Sequence, residues 1–335
     1  MEIDFDKKCL VTLLSLPKMG KVTARRFIDS IRKNILTPAE LKDCLDSFCI
    51  ENKKPYYDKY QIDEAMRYAE EIVQKSDSMS IRLISVFDAE YPTILKYIDD
   101  YPLILNVKGD ISKLNKMTGV AIIGTREPTD FGFKSAKKIA ATLAEKGFNV
   151  VSGLAKGCDT AAHTGALSAG GVTTAVLANG LEKVYPAENK KLAQKILDNG
   201  GILISEYFIG TKIFQNFFIE RDRIQAGLSK SVIVIETDIK GGTMHTVGFC
   251  LKYKRILSCL SHPPSHQNEP KVQGNLMLIR EGKAFPVADK DGVSDLIAKL
   301  AVQTFPISQP PSEQKVNKHQ KNAPDIKPEQ LKFDL

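Results

Sequence analysis

The residue types able to do chemistry gather just after short apolar runs. Gly124-Thr125-Arg126-Glu127-Pro128 follows the run 120–123. Ser152-Gly153-Leu154-Ala155-Lys156-Gly157-Cys158-Asp159 closes the run 149–152. Glu236 and then Lys240-Gly241-Gly242-Thr243 follow the run 231–235. All three turns are rich in Gly, Ser or Thr, carry a cation and lead into a helical pattern. Glycine lets backbone N–H groups approach an anion, and a helix N-terminus favours negative charge. Arg126 can fork onto a phosphate, and Lys156 can add a point charge. Turns between strand and helix use glycine for steric reasons as well, so one such turn says little. Three on one rim of one sheet point to a phosphate compound.

Other constellations carry two readings each. Asp159 and His163, four apart, can form an acid/base pair, or can be a helix cap and a packed imidazole. The second is favoured, because no nucleophile accompanies them. Cys259, His262 and His266 have loosely metal-like spacing, but Pro263-Pro264 makes the segment irregular and a fourth ligand is missing. In the segment 214–223, Phe214, Phe217 and Phe218 precede Arg221 and Arg223. Aromatics followed by arginines can stack bases and hold a phosphate backbone. They equally suit a helix with Phe in the core and Arg in solvent. Beside three anion-friendly turns, the segment leans toward a nucleic-acid groove. Leu16-Pro17-Lys18-Met19-Gly20-Lys21, continuing to Phe27, resembles a helix-hairpin-helix turn with Lys18 in place of its first glycine. A structural hairpin and a DNA contact are both open there. GxxxxGK[ST], GxGxxG and GxSxG are absent, which disfavours a P-loop NTPase, an NAD enzyme and an α/β-hydrolase. No catalytic residue, metal or cofactor is assigned.

The elements that must position these residues follow from periodicity. From about 118 onward, β-branched runs at 120–123, 149–152, 173–177, 202–205, 231–235 and 255–259 alternate with helical patterns, such as 134–146 ending at Gly147. That alternation predicts an α/β fold with a doubly wound, mainly parallel sheet, whose ligands bind beyond the strands' carboxyl ends. Residues 1–75 read as a small helical domain, with 56–74 as an amphipathic helix. Residues 76–117 read as an extension leading into the core at 118–304. The Pro-, Gln- and Lys-rich stretch 305–335 reads as a disordered tail. With 335 residues, 43% of them hydrophobic and 26% charged, the chain can bury a real core. Its +7 formal charge permits a polyanionic partner. No apolar run reaches the ~18 residues of a membrane span, and no signal peptide is expected. Six scattered cysteines suit a reducing cytoplasm.

Taken together, these segments resemble the DprA/Smf DNA-processing family. The resemblance rests on the segments 102–109, 120–128, 150–167, 170–189, 204–207 and 220–229. It implies a Rossmann-like core behind a helix-hairpin-helix (SAM-like) domain. It also implies single-stranded DNA binding in a basic pocket, homodimerisation, and delivery of the strand to a RecA-type recombinase during natural transformation, without catalytic turnover. Arg126 then matches a principal phosphate contact. Gly124, Ser152, Gly153 and Lys156 match the pocket turns, and Arg221 and Arg223 match the family's arginine segment. Thr125, Gly157, Phe218, Gly241, Gly242 and Thr243 complete the expected DNA site. Five features depart from the family pattern. Asp222 stands where Asn is usual, Ala187 where some members have Lys, Lys240-Gly241-Gly242-Thr243 replaces an SGS-type turn, the segment 261–270 replaces a proline-glycine ending after Cys259, and no winged-helix domain is evident. The alternative is a nucleotide enzyme similar to LOG-type phosphoribohydrolases, with Glu236 or Glu206 assisting glycosidic cleavage.

Overall fold

The computed structural model describes residues 6–31, 33–54 and 56–302, so the tail expected at 305–335 lies outside the described residues. Four helices open the chain: α1 (Lys7–Ser15), α2 (Lys21–Ser30), α3 (Pro38–Glu51) and α4 (Lys59–Ser78). Their starts are written in local chemistry. Asp6 accepts from the Cys9 N–H at 3.0 Å, and Thr37 with Glu40 and Asp58 with Gln61 form capping boxes. Then come β1 (Arg82–Ser85), β2 (Ile104–Lys108), α5 (Lys113–Lys116), β3 (Gly119–Ile123), α6 (Asp130–Glu145), β4 (Asn149–Ser152), α7 (Cys158–Ser168), β5 (Thr173–Leu177), α8 (Lys190–Asp198) and β6 (Ile202–Ser205). The chain continues through α9 (Gln215–Gly227), β7 (Ser231–Val234), α10 (Thr243–Lys252), β8 (Ile256–Leu260), α11 (Gln273–Arg280), β9 (Phe285–Val287) and α12 (Lys290–Val302).

Among the described residues the strands form one sheet in the order β1-β2-β6-β5-β4-β3-β7-β8-β9. From β6 to β9 neighbouring strands are parallel, and β2 and β1 are added antiparallel at the β6 edge. The segment 76–117 is therefore continuous with the sheet: it supplies two of its strands. The Rossmann-like, doubly wound α/β architecture expected from the sequence is present. Alternation explains the burial. Val120 and Ile122 of β3 join Ile139, Leu143 and Ala161 of α6 and α7 on one face, while Ala121 and Ile123 join the core on the other. That second core runs without a break into Leu10, Leu13, Phe27 and Ile72 of the N-terminal helices. No described helix is long and apolar enough to cross a membrane.

Strand β9 escapes the periodicity rules because Pro286 sits within it. Proline is tolerated there because β9 is the last strand of the sheet and one of its edges is unpaired.

The chain winds outward from β3 through β4 and β5 to β6, then returns to β7 on the opposite side of β3. Beyond their carboxyl ends, this reversal leaves a crevice between the loops of β3 and β7. Asn275 of α11 pins one wall of it. Its Nδ2 donates to Val234, Ile235 and Leu260 carbonyls at 3.1, 2.8 and 3.2 Å, and its Oδ1 accepts from Thr237 N–H at 3.1 Å. Asn275→Ala removes all four bonds at once and leaves the buried Thr237 N–H without this partner, and is expected to cost about 1–3 kcal/mol in a urea titration; an unchanged midpoint would show that the pin is dispensable.

Candidate nucleic-acid interface

The first turn is locked to the other two before any of them can meet a ligand. Thr125 N–H donates to Glu236 O at 2.8 Å, and Cys158 N–H donates to Thr125 O at 3.2 Å. A Cβ on Gly124 would lie 2.5 Å from Cys158 Sγ, and one on Gly157, at φ +74°, would lie 2.5 Å from Thr125 O and Arg126 O. These glycines are thus fixed by chain-to-chain packing. Ser152 is fully buried and its hydroxyl donates to Ile122 O at 2.7 Å, so it stitches β4 to β3. Leu154 holds φ +59°, a region that costs a branched side chain energy. Asn189 Nδ2 restrains it by donating to Leu154 O at 2.8 Å. Asp159 accepts from Gly153 and Ala155 N–H at 3.1 and 3.2 Å. The outcome is a rigid double turn that leaves Arg126 and Lys156 exposed at its crest.

Two adjoining cavities lie under that crest. The larger, about 510 Å³, fills the crevice between β3 and β7 and is lined by Arg126, Phe218, Asp222, Gly241, Thr243 and Lys271, among others. The smaller, about 230 Å³, is bounded by Arg126, Lys156, Tyr185, Phe218 and Arg221. Arg126 and Phe218 border both cavities. The Arg126 guanidinium lies 5.5 Å from the Phe218 ring centroid, and Phe218 lies 5.4 Å from Tyr185. A cation over an aromatic pair offers a phosphate contact beside a stacking surface. Lys156 meets Glu188 at 2.5 Å, and Lys271 meets the Glu127 carbonyl and carboxylate at 2.5 and 3.5 Å. Exposed pairs of this kind are worth little, so a phosphate can replace the carboxylates. The rim is cationic. The floor is mixed, because Asp159, Asp222 and Asp238 line the larger cavity.

The structure brings Arg126, Lys156, Phe218, Gly241, Gly242 and Thr243 to this trough, with Gly124, Thr125, Gly153 and Gly157 beneath or beside them. Arg223 is elsewhere. Residues two apart on a helix point to different sides, and α9 sends Arg221 and Arg223 apart. Arg223 is buried in an ion pair with Glu206 at 2.5 Å, beside the N-terminal helices. Arg221 is at the trough but buried, donating to Gly153 O at 2.7 Å and Val176 O at 2.5 Å. A Cβ on Gly153 would sit 1.9 Å from its Nη1. Both arginines expected to hold a phosphate backbone are buried and engaged within the protein: Arg221 ties strand ends together and Arg223 braces the N-terminal helices.

The remaining constellations resolve toward structure. Glu236, fully buried, accepts from Thr129 N–H at 2.8 Å and its hydroxyl at 2.6 Å, and lies 3.3 Å from His262 Nε2. Burial would raise its carboxyl, but hydrogen bonds from His262 and Thr129 outweigh this and hold it low. Among the described residues, no three of His, Cys, Asp or Glu gather as a metal site. Cys259 is buried in β8, and His266 leans on Phe131 with centroids 4.9 Å apart. In the hairpin, Lys18 adopts φ +60°, the conformation a glycine would favour. Lys21 reaches Glu206 and Glu220 at 2.7 and 2.6 Å, and Arg25 lies over Tyr101 at 4.1 Å. Both cations thus dock the helices onto the core. Gln225, His245, Thr246 and Lys271 also line the larger cavity and were not expected there. His245 and Thr246 follow the Gly241-Gly242 turn directly, so that turn's signal could have found them, whereas only folding brings Gln225 and Lys271 in.

His163 is not paired with Asp159. Thr173 Oγ1 donates to Val150 O at 2.7 Å, so at 2.7 Å from His163 Nδ1 it can only accept. Nδ1 therefore carries a proton. Burial, then the Arg221 charge, lowers its pKa from 6.5 to about 3. A neutral buried histidine adds stability above the unfolded pKa that is lost as pH falls toward the folded one. His163→Gln is expected to lose about 3 kcal/mol less than the parent between about pH 7 and about pH 4 in urea titrations. Equal losses would show that His163 charges freely in the folded state.

Comparison with known proteins follows the same outline. A family model described as DNA recombination-mediator protein A matches residues 82–299. The DNA processing protein DprA of Streptococcus pneumoniae is 39% identical over 256 residues, covering 76% of this chain and 86% of that one. The Smf protein of a Synechocystis strain is 35% identical over 232 residues, 68% of this chain and 56% of its own. The chain spans about half the length of the Synechocystis and Escherichia coli Smf proteins it matches, 56% and 50%. Among solved structures, the Streptococcus pneumoniae DprA superposes with a TM-score of 0.67 at 28% identity, covering 86% of this chain and 95% of that one. A DprA from Helicobacter pylori, described for its single-stranded DNA binding mode, gives 0.58 at 28% identity over 65% of this chain and 97% of its own.

Proposed function

Because the chain belongs to the DNA recombination-mediator protein A (DprA/Smf) family, we propose that its trough binds single-stranded DNA. One observation carries this reading: Arg126 lies over Phe218, with Tyr185 next to it, on the ridge shared by two adjoining cavities. A flexible strand can lay phosphates on Arg126, Lys156 and Lys271 while unstacked bases rest on Phe218 and Tyr185. A duplex, whose bases are already stacked, gains nothing from the aromatic pair. The double turn supports the cations rigidly, so binding loses little entropy in ordering them.

The family likeness supports the rest of the reading: two copies pair, and the strand passes to a RecA-type recombinase during DNA uptake. The single-strand-binding relative is a DprA from Helicobacter pylori. All six cysteines are unpaired thiols, which suits a reducing cytoplasm. The phosphoribohydrolase alternative is less well supported, since both carboxylates it would use are engaged. Glu236 holds Thr129, and Glu206 holds Arg223 and Lys21.

Anisotropy titrations with single- and double-stranded oligonucleotides at two salt concentrations test the proposal. Tighter single-strand binding that weakens with salt is expected. Arg126→Ala should lower affinity roughly tenfold and reduce the log–log salt slope by about one. Wild-type binding by a folded Arg126→Ala protein removes this residue from the site, and equal affinity for both DNA forms counts against the reading.

A further inference from the structure

The cationic rim of the larger cavity does not explain its floor. Asp222 and Gln225, three apart on α9, share one face of that helix and both line the cavity. Gln225 Nε2 donates to Asp222 Oδ1 at 3.0 Å, which turns the amide oxygen away from the carboxylate. Gln225 is only 2% exposed, yet its Oε1 has no hydrogen-bond partner. Asp222 Oδ1 also lies 3.2 Å from Arg221 Nε. Burial pushes the Asp222 carboxyl up to about 6, with the Arg221 charge and a Thr246 hydrogen bond opposing and Asp159 adding to the rise, while the Arg221 and Gln225 donors at Oδ1 favour the carboxylate form. Two residues lining the cavity thus carry hydrogen-bond acceptors, and one of those acceptors, Gln225 Oε1, is buried without a partner. Phe218 and Ile219 form an apolar wall beside it, and Arg126 and Lys271 stand at the rim.

A matching ligand carries adjacent N–H donors on the edge of a flat apolar ring that is joined to phosphate. An alkylammonium group would satisfy the acceptors, but would meet Arg126, Arg221 and Lys271 as well. Guanine has the required edge, with N1–H beside the 2-amino group on a neutral ring. Thymine places its single N3–H between two carbonyls that a carboxylate repels. Adenine and cytosine set one amino group beside a ring acceptor. Splayed single-strand bases are commonly read on this edge. Resting on the strand-binding reading above, we propose that the larger cavity takes one unstacked guanine of the bound strand, its Watson–Crick edge donating to Asp222 and Gln225. The repulsion of thymine then supplies as much of the selectivity as the attraction of guanine.

The test uses the full chain and short oligothymidylates with one central position replaced in turn by guanine, hypoxanthine, adenine or cytosine. At fixed salt the guanine oligomer should bind roughly tenfold tighter than plain oligothymidylate, the discrimination a good bidentate base contact supplies. Hypoxanthine, which keeps N1–H but lacks the amino group, should fall between them, and this arm needs no variant. Asp222→Asn, which replaces an acceptor by a donor, should bring the guanine-to-thymine ratio close to one. Salt-dependent binding with equal affinity for guanine and thymine oligomers overturns the base assignment and leaves the strand reading intact. Guanosine monophosphate bound in an Asp222-dependent way, with no oligonucleotide binding, supports the cavity and overturns the strand reading. Absence of both overturns both.

Discussion

The buried guanidinium of Arg221 is the interaction on which the site depends. A cation taken out of water must be answered by hydrogen bonds and opposite charge. Here the carbonyls of Gly153 and Val176, at the carboxyl ends of β4 and β5, supply the first. Asp222, with an oxygen 3.2 Å from Nε, supplies the second. The anchor fixes α9 across the strand ends, and Phe218, one helical turn earlier, is thereby held over the crest. Gly153 has no side chain because the guanidinium occupies the space a Cβ would take. What looks in sequence like a phosphate-binding glycine is a consequence of that anchor.

Around it the molecule separates charge by depth. Exposed cations stand on the rim in pairs with exposed carboxylates, which cost little to exchange. Buried acids lie on the floor, where Asp159 ties down the β4 turn and Asp222 partners Arg221. Positive charge therefore stands at the mouth of the trough and acceptors lie deeper in.

The crevice exists because the sheet reverses direction at β3, and the N-terminal helices are part of the same body. Lys21 of the hairpin and Arg223 of α9 meet at Glu206, so the hairpin's positive charge is used in docking. Arg25 over Tyr101 completes that joint. The shared apolar core beneath makes the helical segment a buttress for α9.

Much of the fold was legible in the sequence because strands buried on both faces must be continuously apolar. The runs at 149–152, 173–177 and 202–205 coincide with β4, β5 and β6 to the residue. The exposed cations Arg126 and Lys156 were legible too, since a turn between strand and helix leaves few directions for a long side chain. Other features needed the folded chain. The separation of Arg221 from Arg223 depends on helical phase and on what packs against each side of α9. The proton's place on His163 Nδ1 depends on which carbonyl receives the Thr173 hydroxyl proton. The arrival of Gln225, His245 and Lys271 in one cavity joins residues distant in sequence. Local pattern decides which segments become strands, because burial and periodicity are properties of neighbours. Only tertiary structure decides which charges stay in solvent and which become struts, because that is settled by the partners each one meets across the chain.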